Sequence, residues 1–87
     1  MSELYGQYHG QILRLARAST PDGAWKAKLR EILAEFDDEC VRLPALAKRF
    51  LCGELAGQLE LEALSFSDPD KRAVLALALK HIDAVDR

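Results

Sequence analysis

WKAKLREILAEFDDECVRL, residues 25–43, decides the fold class. Trp25, Leu29, Ile32, Phe36, Cys40 and Leu43 recur at steps of four, three, four, four and three, with Leu33 beside them. Only a helix of 3.6 residues per turn puts those positions on one face. The opposite face carries Lys26, Arg30, Glu31, Glu35, Asp37, Asp38 and Arg42, which favour water. A core-facing amphipathic helix is therefore expected here, and the rest of the chain reads outward from it.

Upstream, Thr20-Pro21-Asp22 offers a capping hydroxyl, a proline at a first helical position and an early acid, so the helix is expected to run over 21–43. Before it, Leu4, Tyr5, Tyr8, Ile12, Leu15 and Ala16 mark a stripe on a helix over about 3–18. Downstream, Leu43-Pro44 marks a boundary or a kink, because a residue before proline avoids the helical region. The segment 44–64 is apolar over a wide arc and is interrupted by Gly53 and Gly57. It reads either as one helix covered on two sides or as two short helices broken near Gly53. Asp68-Pro69-Asp70 repeats the capping grammar and opens a fourth helix over 69–85, rich in alanine and also broadly apolar.

Nothing alternates with a period of two, and the single Asp-Gly dipeptide, Asp22-Gly23, falls in a helix start. The expected architecture is all-α, a small antiparallel bundle of three to four helices in one domain spanning residues 1–87.

The chain has 87 residues, of which 49% are hydrophobic, too many for a disordered tail. A domain of this size buries only about 60–65% of its unfolded surface, which leaves little room for both a core and a deep cleft. An enzyme is not expected. The net charge of −2 argues against a nucleic-acid binder, which is usually strongly basic. The charge is uneven: +3 over residues 1–30, −7 over 31–70 and +2 over 71–87. Attraction between helices explains that plainly, and an acidic surface for a basic partner explains it more sharply. No signal segment is read at the N-terminus, and no apolar run reaches the roughly 18 residues a membrane span needs. Cys40 and Cys52 are expected as reduced thiols in a cytoplasmic protein.

Motifs for chemistry are weak. Cys40, Cys52, His9 and His81 lack the paired spacing of zinc ligands, so no metal or cofactor is expected. The carboxylates of Glu35, Asp38 and Glu39 share a helix face while Asp37 points elsewhere; no calcium-loop pattern surrounds them. Gly6-Gln7-Tyr8-His9-Gly10 and Gly53-Glu54-Leu55-Ala56-Gly57 have the spacing of close helix crossings, although helix breaking is the plainer reading. A helix-turn-helix reading of Leu46-Ala47-Lys48-Arg49-Phe50 fails because residues 54–64 carry Glu54, Glu60 and Glu62 and no cation to meet phosphates.

The apolar arcs of 44–64 and 69–85 exceed what one small core hides. A second copy or another protein is expected to cover the surplus. The functional expectation is a non-enzymatic interaction module, of the adaptor, inhibitor or co-chaperone kind, homodimeric and able to bind a protein with a basic patch. Bundles of this size occur among secretion co-chaperones, anti-activators and bacterial or phage inhibitors, an analogy of fold only. Phe50, Leu51, Leu55, Leu59 and Leu75 are expected to line the binding face, and Glu35, Asp38 and Glu39 to steer the partner. Two alternatives are a DNA-associated transcriptional regulator using the basic N-terminal helix, and a thiol- or metal-dependent sensor built on Cys40 and Cys52.

Overall fold

The computed structural model describes residues 2–86, which form four α-helices and no strand. They are α1 (Ser2–Ala18), α2 (Trp25–Val41), α3 (Ala45–Ala63) and α4 (Pro69–Asp86). The all-α bundle expected from periodicity is the fold.

The two proline signals act differently. Asp68 caps α4 as its sequence suggests: its Oδ1 accepts from the Asp70 N–H at 2.9 Å and its carbonyl from the Arg72 N–H at 3.1 Å. Pro69 fills the first helical position, where no donor is needed. Thr20-Pro21-Asp22, by contrast, forms a turn, and α2 starts at Trp25 rather than at 21. The reason is Gly23, whose φ of 77° is left-handed and breaks any helix through it. The Gly23 N–H closes the turn on the Thr20 carbonyl at 3.3 Å, and Asp22 Oδ1 accepts from the Ala24 N–H at 3.0 Å. At the other end α2 stops at Val41, and Pro44, with ψ at 153°, is the extended entry to α3. α3 then runs unbroken through Gly53 and Gly57.

The core takes Tyr8, Ile12 and Ala16 from α1; Trp25, Leu29, Leu33, Phe36 and Cys40 from α2; Leu51, Cys52, Leu55 and Leu59 from α3; and Val74, Leu75, Ala78 and Ile82 from α4. Leu33 displaces Ile32 from the centre of the α2 seam; Ile32 and Leu43 are half-buried at its edge. Tyr8 meets the Phe36 ring edge-on at 5.3 Å, locking α1 to α2. α1 and α4 each pack against all three other helices, whereas α2 and α3 barely touch, although only three residues join them. The central pair is thus α1 and α4, with α2 and α3 applied to it from two sides.

Candidate functional site

α3 is apolar on two opposite faces. At 100° per residue, Leu51, Leu55 and Leu59 lie on one side and enter the core. Leu46, Phe50, Gly53, Gly57, Leu61 and Leu64 follow steps of four, three, four, four and three along the other side. That second stripe faces solvent. Leu46 is 81% exposed, Phe50 59%, Leu61 64% and Leu64 79%. Single exposed leucines are ordinary, but four large apolar side chains in one line are not. Beside the stripe lies an open depression of about 540 Å³ lined by Gly57, Glu60, Leu61, Ala63, Leu64 and Leu79.

The two glycines at mid-stripe have no role inside this chain. Each costs about 1 kcal/mol in a helix interior relative to alanine. Neither has positive φ, and a Cβ added to either would meet nothing within 4 Å. Gly6 and Gly10 share the spacing on α1, but Glu3, Gln7 and Arg14 surround them, so no apolar stripe forms there.

These positions correct the sequence reading of the binding face. Leu51, Leu55, Leu59 and Leu75 are at most 1% exposed and belong to the core, so they have no surface to offer a partner. Phe50 alone of the five is exposed. A broad apolar arc does not reveal which edge of it the neighbouring helices cover, and here α1 and α4 cover the Leu55 side. Glu35, Asp38 and Glu39 do share a side of α2, but it is the side toward α1. Burial first, then Glu39, Glu35, Cys40 and Asp38, raise the pKa of the Tyr8 hydroxyl and disfavour its ionisation. These acids therefore do not flank the α3 stripe; Arg49, Glu54 and Glu60 do. Asp37 turns to α4, where the His81 Nε2–H donates to its Oδ1 at 2.7 Å.

A matching pair ties α1 to α3: the His9 Nε2–H donates to Glu62 Oε1 at 2.6 Å, with Gln58 donating to the same oxygen at 3.3 Å. Tyr5 stacks on the His9 ring at 5.4 Å. Each outer helix is thus held to a central one by a histidine–carboxylate bond. The partners are 53 and 44 positions apart, so neither bond has a local signal in the sequence. Among the described residues, the only Lys or Arg paired with a carboxylate is Arg42 with Glu39, at 3.9 Å within one stretch of chain. Among the described residues, no Lys or Arg of one helix pairs with a carboxylate of another.

Cys40 and Cys52 come together in the core as free thiols. Burial is the first cause raising both; Cys52, further disfavoured by Cys40 and Asp86, is pushed up to about 12. A thiol held protonated is a poor nucleophile and a poor metal ligand. Among the described residues, no three His, Cys, Asp or Glu side chains converge as metal ligands, and no helix is long and apolar enough to cross a membrane. The basic residues of the first segment are dispersed: Arg14 and Lys28 share the α1–α2 groove with Glu31 and Glu35, while Lys26 and Arg30 border an α2–α4 groove floored by Leu29, Leu33 and Leu77.

No family model, curated protein or solved structure matches the chain.

Proposed function

We propose that the chain is a non-enzymatic helical interaction module, an adaptor, inhibitor or co-chaperone in kind, and that it binds through the outer face of α3. The observation that carries this reading is the line Leu46, Phe50, Leu61 and Leu64, exposed on a helix whose other face is already buried. Folding has satisfied the core without using these side chains, so their apolar area gains by burial only against another molecule. Helix faces with anchors at such spacings are a common mode of protein recognition. The protonated, buried state of both thiols fits a module that binds rather than one that reacts.

Site-specific photo-crosslinking in the source cells tests the proposal. A photoreactive residue at position 50 or 61 should yield covalent adducts to protein, whether to this chain or to another. The same residue at position 34, exposed on α2, should not. Absence of adducts from 50 and 61, or equal yield from 34, would remove α3 as the binding face.

A further inference from the structure

The stripe on α3 is nearly palindromic. Reflection through residue 55 exchanges Leu46 with Leu64 and Gly53 with Gly57, and brings Phe50 to the level of Glu60 and Leu61. A surface with that property is complementary to itself when a second copy lies across it head to tail, which is the requirement of a two-fold interface. Resting on the reading that α3 is the binding face, we infer that its occupant is a second copy of this chain, its α3 packed antiparallel on this one with Gly53 and Gly57 facing each other's counterparts.

Three observations support that occupant. The first is the glycine pair. Both glycines lie on the exposed stripe with open space where a Cβ would stand, and the fold of one chain gives no return for their cost to the helix. A second backbone coming close over them does give one, as small residues let helix axes approach. The second is charge. Arg49 and Glu60 are eleven residues apart, about three turns, and so occupy the same edge of the stripe. The antiparallel arrangement sets Arg49 of each copy beside Glu60 of the other, on the same side of the two-fold axis. In a parallel pair the two-fold axis runs along the helices and exchanges their edges, so Arg49 and Glu60 would not meet; their pairing belongs to the antiparallel arrangement. The third is shape. Phe50 of the second copy arrives at the level of Glu60 and Leu61, two of the residues that line the open depression of about 540 Å³. On the other edge the two Glu54 carboxylates approach each other near the axis, which limits the affinity.

The helix is 19 residues long, so the stripe measures about 28 Å by about 10 Å. A footprint of about 280 Å² on each copy lies below the roughly 1,200 Å² in total at which standard stable interfaces begin, and implies a weak association, micromolar at best.

Sedimentation equilibrium of the purified chain from about 1 µM to about 500 µM, a range that brackets such an affinity, tests the inference. Wild type should pass from monomer to dimer. Gly57→Ala should raise the dissociation constant about tenfold, as overpacking a close contact does. Its helix content and thermal midpoint should hold or rise, because alanine is the better helix former and meets nothing in the monomer. Arg49→Glu should weaken the dimer, and adding Glu60→Arg to it should restore the dimer. A monomer at every concentration, a dimer indifferent to Gly57→Ala, or a charge swap that fails to restore association would each overturn the second-copy occupant. A monomeric chain that still crosslinks from position 61 to a different protein would overturn this inference and leave the α3 binding face standing.

Discussion

Cys52 shows how a single residue's surroundings set a property of the whole. Its thiol sits beside Cys40 in the core, and burial, then the neighbouring Cys40 and Asp86, push its pKa up to about 12, against 9.0 when exposed. The folded state therefore holds this proton more tightly than the unfolded state. That contribution is complete below pH 9.0 and is lost as the pH rises from 9.0 toward about 12. Cys40 and the buried Tyr8, both raised, act in the same direction. Wild type should lose urea resistance between about pH 9 and about pH 11, and Cys52→Ala should lose less over that window while starting about 1 kcal/mol lower at neutral pH. Parallel slopes for the two proteins in urea titrations would show that another group governs the loss. The burial of both cysteines was legible, because Cys40 lies on the α2 seam and Cys52 falls in an apolar run. Their adjacency was not, nor were the bonds of His9 to Glu62 and His81 to Asp37, since the partners meet only through packing.

Helix boundaries follow local chemistry where the backbone dihedrals permit it. Asp68 and Thr20 both precede proline, yet only Asp68 caps a helix directly. The difference is Gly23, which takes a left-handed φ of 77° and delays α2 to Trp25. Asp68→Ala should remove the bond to the Asp70 amide and cost about 1 kcal/mol of stability, measured by denaturant melting. A loss under about 0.3 kcal/mol would mean that water replaces the cap without penalty. α3 poses the harder problem. Gly53 and Gly57 leave a break in 44–64 as one of two readings of the sequence; both keep helical geometry, and the continuous helix is the one that forms. Tertiary packing of Leu51, Leu55 and Leu59 outweighs a propensity cost of about 2 kcal/mol for the pair.

The bundle as a whole is organised around α1 and α4, which touch every other helix, while α2 and α3 lean on them from separate sides. Amides of Val74, Leu75, Ala78 and Ile82 in α4 should accordingly exchange slowest with solvent, near the limit set by global unfolding. Native-state hydrogen exchange that found α2 better protected than α4 would contradict a central α1–α4 pair. The same arrangement explains why the apolar surplus of α3 lies uncovered: a helix at the periphery buries one face, and its other face has no helix of this chain to meet. The sequence by itself determined the helical class, the four segments, the caps at Asp68 and the core seam of α2. Those depend on periodicity and on interactions within one turn, both written in neighbouring residues. Tertiary structure alone decided that Leu55 goes inward and Leu61 outward. Both belong to the same broad apolar arc, and a helix apolar on two sides has no preferred inner face until its neighbours take one.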